Sequence, residues 1–209
     1  MKLLLKLYAV LFATLLFPAC GEDEYTYPDL ITEISCLKTN SEGIGIQIIT
    51  DEGMVWNLQR GNQPKDLTAD SVYRVVSRFA PINVSEAKVY SFWPVIASLP
   101  KSKDEYPAIK TDPVSIQSIW KSGDYLNMVL QIMVKDQEHD LSFIDNGIVR
   151  NEDGTQTLKL TLFHDRKNDV EGFNQKFYLS IPLWHYQETL HRGDSIVFQL
   201  NTYQEKVLY

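Results

Sequence analysis

The four histidines carry the most versatile side-chain chemistry in this chain, and all of them lie in its second half. They are His139, His164, His185 and His191. His139 follows one predicted strand and His164 ends another, so one end of a sheet could bring both to a shared metal. A metal needs further ligands, and Asp140 and Asp165 are the obvious neighbours. Hydrogen-bonded or exposed histidines are the better interpretation, and a metal-dependent hydrolase is kept as a third hypothesis.

The familiar catalytic motifs are missing from the sequence. It contains no G-x-S-x-G elbow, no G-x-x-x-x-G-K-[ST] loop, no H-E-x-x-H and no C-x-x-C. Paired acids such as Asp51-Glu52 and Glu152-Asp153 fall in predicted turns, where backbone geometry favours them. We therefore expect a protein that is not an enzyme and that needs no cofactor.

The N-terminus has the order of a secretory signal. "MKLLLKLYAVLFATLLFPA" begins with two lysines, continues with an uncharged apolar run and ends at a small residue. We interpret residues 1–19 as a signal peptide, because the apolar run is too short for a spanning helix. Cys20 follows directly, and the stretch resembles the lipobox of bacterial lipoproteins. The prediction is cleavage after Ala19 and acylation of Cys20, with a plain signal peptide as the alternative.

The second cysteine is interpreted as structural. If Cys20 is acylated, Cys36 has no partner for an intramolecular disulfide, although an exported protein could form one. No base is visible around it in "TEISCLKTN", so a buried or half-buried thiol is favoured over a nucleophile. Stability must then come from the hydrophobic cores alone.

The mature chain divides into a tether and two β regions. In residues 20–30, "YTYPD" reads as an extended tether because Pro28 restricts its neighbour to extended conformations. Residues 31–100 contain four or five short alternating strands, including a hairpin around Asp51-Glu52-Gly53, and suit a small barrel of the OB type. In "SVYRVVSRFAP", Arg74 and Arg78 are predicted on the outer face.

A proline-rich, charged stretch separates the two regions. "PKSKDEYPAIKTDP", from Pro100 to Pro113, has no apolar periodicity and marks the predicted domain boundary; a long loop inside one β domain is the alternative. In residues 113–209, alternation returns in "DYLNMVLQIMVKD", "TLKLTLFHD", "KFYLSIPLW" and "SIVFQLNTY". This pattern predicts an antiparallel β-sandwich, with one short helix between Pro182 and Gly193.

The charge balance argues against nucleic acid as a partner. The chain has 27 acidic and 20 basic residues, and the first β region is close to neutral. Tyr73, Phe92 and Trp93 could stack on bases and Arg74 could contact phosphates, but a neutral barrel outside the cytoplasm does not suit a polyanion. These aromatic residues are better interpreted as core.

Exposed aromatic residues would instead suit a sugar. Trp93, which precedes a proline, and the cluster of Trp184 and Tyr186 near a strand end are the candidates for glycan stacking. Trp56 falls on the inward phase of its strand with Leu58 and is expected in the core. A surface glycan-binding accessory protein is therefore the second hypothesis for the function.

With this organisation the chain resembles the NigD-like lipoproteins. The resemblance rests on the Cys20 signal with "YTYPD", on "TDEGMVWNL" and "YRVVSRF", and on "DPVSIQSIWKSGDYLNMVLQI", His139 and "LKLTLFHD". It implies a lipidated N-terminus, an OB-type first domain and a β-sandwich second domain. Bacteriocin immunity is the function proposed for the family, and no functional residue is carried over from it.

Two weaker resemblances concern the cellular location of the protein and its covalent modification. The acidic "GEDE" after Cys20 resembles an export signal, which implies an outer-membrane lipoprotein at the cell surface, with the periplasmic face as the alternative. "DSV" around Ser71 and "DSI" around Ser195 look like Asp-Ser-aliphatic acceptors for O-glycosylation. The leading hypothesis is a non-enzymatic, membrane-anchored module that binds an unknown protein or glycan.

Overall fold

The computed structural model describes residues 28–203 and 206–208. The predicted signal peptide, Cys20 and most of the tether lie outside the described residues. Within them, regular structure consists of strands and two short 3-10 helices, Lys103–Glu105 and Trp184–Tyr186. The all-β class is confirmed, and the helix predicted between Pro182 and Gly193 is only the second of these 3-10 turns. No helix in the described part of the chain is long and apolar enough to cross a membrane.

Five strands close into a barrel in the order β1-β2-β3-β5-β4. They are β1 (Ile31–Thr39), β2 (Gly45–Ile49), β3 (Val55–Leu58), β4 (Val72–Pro81) and β5 (Glu86–Pro94). Gly53, with φ of 84°, makes the turn between β2 and β3, where a residue with a Cβ would be strained. The small OB-type barrel predicted from the alternating pattern is confirmed.

The remaining strands form two packed sheets, a five-stranded one with the order β13-β12-β10-β9-β6 and a three-stranded one with the order β11-β8-β7. They are β6 (Lys101–Ser102), β7 (Ser115–Ser122), β8 (Tyr125–Val134), β9 (Asp140–Arg150), β10 (Gln156–Asp165), β11 (Phe173–Pro182), β12 (Ser195–Asn201) and β13 (Lys206–Leu208). The sandwich is confirmed, but β10 pairs with β12, and β6 with β9, in parallel. Because β11 between β10 and β12 crosses to the other sheet, the chain returns in its earlier direction.

Two hydrophobic cores result. Phe79, Ile48 and Leu37 are buried inside the barrel, and Trp56 packs against them as expected. Strand β8 supplies the centre of the sandwich core with Met128, Leu130 and Ile132, all fully buried. The apolar residues of the alternating pattern that predicted these strands therefore face the two cores.

The stretch from Pro100 to Pro113 is fastened to the sandwich. Strand β6 begins within it and pairs with β9. The Tyr106 ring stacks on Phe163 with 4.7 Å between ring centroids, and its hydroxyl donates to the carbonyl oxygen of Phe143 at 3.0 Å. The segment therefore packs across the sheet. Its low apolar periodicity does not mean that it is a freely solvated loop.

Candidate functional site at the junction of barrel and sandwich

Arg74 lies between the barrel and the sandwich. Strand β4 places Arg74 opposite Cys36 of β1, and Arg74 is only 8% exposed. The sequence predicted an outward-facing arginine, which is true of the barrel considered alone. The outer barrel face at this point meets the outer face of the three-stranded sheet, so the guanidinium is enclosed.

A polar cluster surrounds this guanidinium. Its two terminal nitrogens donate to the two carboxylate oxygens of Asp51 at 2.6 and 2.8 Å, and one also donates to Asn127 Oδ1 at 3.1 Å. Arg74 Nε donates to Ser180 Oγ at 3.0 Å, and the Tyr125 ring lies 3.7 Å from the guanidinium carbon. We name this set the junction cluster; its members are Arg74, Asp51, Asn127, Ser180, Tyr125 and Cys36.

The electrostatics of the junction cluster keep Arg74 charged and Tyr125 neutral. Burial works to lower the pKa of Arg74, but its hydrogen bonds to Asp51 and the charge of that carboxylate outweigh burial and raise the pKa. Burial, followed by the hydrogen bond with Cys36, raises the pKa of Tyr125 to about 12. The result is a buried ion pair capped by a neutral aromatic ring.

The hydrogen bonds of the junction cluster hold the barrel and the sandwich together. The donors of Arg74 are committed to partners from both β regions. Backbone bonds run alongside it, since Ile96 N donates to Tyr178 O and Ser180 N donates to Ile96 O, both at 2.9 Å. A Cβ at Gly123 would lie 2.5 Å from the Asp51 carbonyl oxygen. The two β regions therefore form a close-fitted joint.

Cys36 takes part in this joint as a weak hydrogen-bonding group. Its Sγ lies 3.6 Å from a terminal nitrogen of Arg74 and 3.7 Å from the Tyr125 hydroxyl. Arg74 is permanently protonated and is no base. The interpretation of Cys36 as a half-buried structural thiol agrees with this environment.

The sequence contained one signal that could have revealed the junction cluster. Asn127 and Ser180 interrupt the apolar and aromatic stretches 125–130 of β8 and 177–182 of β11, and the structure pairs them directly across the two strands. Both are fully buried, and Ser180 Oγ donates to Asn127 Oδ1 at 2.6 Å. Isolated polar residues in strands whose two faces are covered require buried partners.

His139 and His164 meet at one end of the sandwich, an arrangement that the sequence allowed because one follows a strand and the other ends one. Nδ1 of His139 lies 2.9 Å from Nε2 of His164, and Nε2 of His139 lies 3.2 Å from Asp169 Oδ2. Nδ1 of His164 lies 2.9 Å from the carbonyl oxygen of Asp112. We name His139, His164 and Asp169 the histidine cluster; the predicted neighbours Asp140 and Asp165 do not contact its ring nitrogens.

Hydrogen-bond complementarity indicates which ring nitrogens of this cluster donate and which accept. The Asp112 carbonyl only accepts, so His164 Nδ1 carries a proton. Burial lowers the pKa of His164, with a further contribution from His139, so its Nε2 is an acceptor and His139 Nδ1 is the donor. The backbone N–H groups of Asp136 and Lys135 hold the pKa of Asp169 well below its usual range, although burial opposes them. The carboxylate of Asp169 only accepts hydrogen bonds, and its partner in the cluster is Nε2 of His139.

This arrangement accounts for the two histidines without a metal. All four ring nitrogens are engaged in hydrogen bonds, and Asp169 accepts additionally from the backbone nitrogens of Lys135 and Asp136 at 2.7 and 3.0 Å. Among the described residues, no group of three or more His, Cys, Asp or Glu side chains is arranged so that it could hold a metal ion. The geometry favours the hydrogen-bonded interpretation over the metal-dependent hydrolase.

The three aromatic residues proposed for glycan stacking separate into two classes. Trp93 and Trp184 are 41% and 48% exposed. Tyr186 is 5% exposed, belongs to the sandwich core, and donates from its hydroxyl to Asp145 Oδ2 at 2.8 Å. Its inclusion as a surface stacking residue is wrong, because the 3-10 turn directs Trp184 to solvent and Tyr186 inward.

A pocket of about 480 Å³ adjoins this turn. Apolar and aromatic side chains line part of it, among them Leu126, Leu183 and Tyr186. The polar lining residues are Lys121, Asp124, Gln187, His191 and Asp194. This combination of apolar and polar lining is typical of small-ligand sites.

The two candidate glycosylation sites differ in access. Ser195 begins β12 and is exposed. Ser71 is half-buried, its hydroxyl donates to the carbonyl oxygen of Ala69 at 2.9 Å and its backbone nitrogen donates to Thr39 Oγ1 at 2.8 Å. Of the two, only Ser195 presents a free approach to a modifying enzyme.

Known structures resemble this chain over most of its length. A NigD-like immunity protein from Bacteroides caccae shares 25% identity and a TM-score of 0.71, over 88% of this chain and 94% of that one. A candidate toxin-related protein from Parabacteroides distasonis shares 16% identity and a TM-score of 0.67, over 87% and 91%. A candidate lipoprotein from Bacteroides fragilis shares 13% identity and a TM-score of 0.57, over 87% and 96%.

No curated protein matches the chain. The model of the NigD-like C-terminal beta sandwich domain matches residues 96–209, which is more than half of the chain. This range contains both sheets of the sandwich and the Asn127 and Ser180 side of the junction cluster. The chain therefore belongs to the NigD-like family.

Proposed function

We propose that this protein is a non-enzymatic lipoprotein of the outer membrane that binds a macromolecule at the cell surface and acts in bacteriocin immunity. The observation that carries the proposal is the likeness to the NigD-like immunity protein of Bacteroides caccae across nearly all of both chains. The junction cluster supports a binding role, because it joins barrel and sandwich into one preorganised body.

Lipid anchoring is the second part of this proposal. The apolar run that ends at Ala19 and the adjacent Cys20 support it, and so does the likeness in fold to a candidate lipoprotein. Two or three acyl chains give stable attachment where one chain gives only marginal attachment. A palmitate-containing anchor on Cys20 is expected to keep the protein on the membrane.

The immunity proposal is tested by deleting the gene and challenging the cells with bacteriocins of neighbouring strains. Increased sensitivity, reversed by the wild-type gene, is expected. A Cys20→Ala gene should restore neither fatty-acid labelling nor protection, whereas Cys36→Ser, which alters the other cysteine, should restore both. Unchanged sensitivity of the deletion strain would refute immunity, and labelling of the Cys20→Ala protein would refute the anchor.

A surface glycan-binding accessory protein is the second candidate. The exposed Trp184, which directly follows the pocket-lining Leu183, and the mixed apolar and polar lining of the pocket favour it, since sugars combine an apolar face with many hydroxyl groups. Polysaccharide arrays should show binding that Trp184→Ala or Gln187→Ala abolishes, with Trp93→Ala distinguishing the barrel site. Absence of binding above background would remove this candidate.

A further inference from the structure

One end of the barrel is where the chain enters the folded body. The first residue of β1, Ile31, pairs with Phe79 near the end of β4. The turn between β4 and β5 lies just beyond this pair, because Ile82 N donates to Glu86 O at 2.8 Å. The start of β3 lies there too, since Asn57 pairs with Glu86 and donates to Ser85 O. We name this the entry end.

Apolar side chains at the entry end face solvent. Val84, at the tip of the β4–β5 turn, is 95% exposed. Four further large apolar residues of this end are also exposed, namely Leu30, Met54, Val55 and Ile82. They come from three separate segments that only the barrel brings together. Exposed apolar side chains grouped at one end of a fold are candidates for contact with an apolar partner.

The chain itself indicates which partner is within reach. Pro28, the first described residue, lies eight positions after Cys20 in the chain. A fully extended chain spans at most about 3.6 Å per residue, so an acylated Cys20 would hold this end within about 30 Å of the bilayer. The opposite end of the barrel, where β4 begins at Val72, lies about 30 Å farther along the ten-residue strand.

The charges at the entry end point to the apolar part of a membrane rather than to an anionic surface. Asp29 and Glu52 are exposed and Glu86 is half-exposed, while Arg78, opposite Thr32, is exposed and Lys88, opposite Ala80, is half-exposed. These charges give no excess of basic groups that would attract anionic headgroups. Contact must therefore come from burial of apolar side chains in the interfacial zone.

We propose that the entry end of the barrel is a membrane-contact surface, in which Val84 and Ile82 insert into the headgroup–acyl boundary beside the lipid anchor. This inference rests on the lipid anchoring proposed above and is independent of the immunity role. It orients the protein with the opposite barrel end and the far part of the sandwich directed away from the bilayer.

The test uses the full lipoprotein, carrying Cys36→Ser so that a single introduced thiol can be labelled with an environment-sensitive fluorophore. Val84→Cys probes the entry end, and Val72→Cys, also an exposed valine, is the matched control at the other end of the barrel. Both are reconstituted into phosphatidylcholine vesicles with and without bromine on the acyl chains. Bromine quenches only fluorophores at membrane depth.

Loss of fluorescence at position 84, and none at position 72, is the expected result. Adding Ile82→Asp should reverse the loss at position 84, and adding phosphatidylglycerol should not increase it. Protein that floats with the vesicles while position 84 stays unquenched, or while both positions are quenched equally, would overturn this inference and leave the anchor intact. Failure of the protein to float would instead refute the anchoring proposal, and this inference with it.

Discussion

The guanidinium of Arg74 and the carboxylate of Asp51 form a bidentate ion pair, at 2.6 and 2.8 Å, whose side chains are 4% and 5% exposed. Both residues belong to the barrel, but two residues of the sandwich also bond to the pair. Asn127 bonds to both Arg74 and Asp51, and Ser180 accepts from Arg74. An ion pair buried in this way depends on a second layer of structure.

Removing one partner of this pair should destabilise the protein strongly. Asp51→Ala leaves the Arg74 charge buried without compensation, and we expect a loss of about 3–5 kcal/mol in the free energy of unfolding. Chemical denaturation measures it. Lys167→Gln, which breaks the exposed pair between Lys167 and Asp140, is the control and should change stability little.

Replacing both partners should be milder. The double variant Arg74→Met with Asp51→Leu removes both charges and keeps volume, so it should be more stable than Asp51→Ala. A double variant that is less stable than the single one would contradict the view that the uncompensated charge is the main cost.

The protonation of His164 can be observed directly. Nitrogen-15 NMR of the imidazole rings at neutral pH should show His164 protonated at Nδ1 and unprotonated at Nε2. The reason is that the carbonyl oxygen of Asp112 requires a donor and that burial lowers the pKa of His164. A protonated Nε2 of His164 would refute the assignment.

The same cluster should make the protein acid-sensitive. The folded-state pKa values of His164 and Asp169 are lowered, so each contributes stability above its unfolded pKa, about 6.5 for histidine and 3.9 for aspartate. This stability is lost as the pH falls through those ranges. Asp169→Asn should lower the Tm at neutral pH and flatten its dependence at acid pH. Asp136→Asn is the control, since only its backbone binds Asp169.

Tyr125 should produce a loss of stability at alkaline pH. Its folded-state pKa is about 12 and its unfolded value about 10, so the unfolded chain loses the proton first and stability falls as the pH rises from 10 to 12. Tyr125→Phe, which keeps the ring over Arg74, should reduce this loss in pH-dependent unfolding. Tyr90→Phe, at an exposed tyrosine, should leave the profile unchanged.

Glu33 should be a source of instability at neutral pH. Burial, together with the nearby charges of Glu52 and Asp51, raises its pKa, and its Oε1 is buried with no hydrogen-bond partner in the described residues. Glu33→Gln should raise the Tm at pH 7, and the gain should vanish at acid pH where the native carboxyl is neutral. Glu42→Gln, at an exposed position, is the control; equal effects of both would refute the explanation.

Glycosylation, if present, should be found on Ser195. Its exposure at the start of β12 favours it over Ser71, whose hydroxyl is committed to a turn. Intact-mass measurement of native protein should then show a glycan that Ser195→Ala removes and Ser71→Ala retains. A mass that accounts only for the polypeptide and its lipid would end this proposal.

The local pattern of the sequence predicted most of the fold. Alternation in β8 placed Met128, Leu130 and Ile132 on one face, and the structure buries all three. The Asp51-Glu52-Gly53 turn likewise predicted the β2–β3 hairpin. These predictions hold because side-chain direction alternates along any strand, whatever packs against it. The parallel pairing of β10 and β12 depends on which sheet β11 joins, which no local pattern contains.

The candidate sites were predictable only where residues stand beside strand ends. A meeting of His139 and His164 could be considered because each lies at the end of a predicted strand, but Asp169 was missed since it belongs to a loop. Tyr186 was predicted at the surface and is in the core, because a single 3-10 turn reversed its direction relative to Trp184. Distant loops and single turns have no periodicity from which to predict them.

By itself, the sequence determined the two β regions and the absence of familiar catalytic motifs, since these depend on residue types at short spacing. Only the tertiary structure decided that Arg74 is buried and that Leu30, Ile82 and Val84 share one end of the barrel. Burial of an outward-facing residue is a property of the neighbouring layer. The chain encodes that layer through contacts between residues far apart in sequence, such as Arg74 with Ser180.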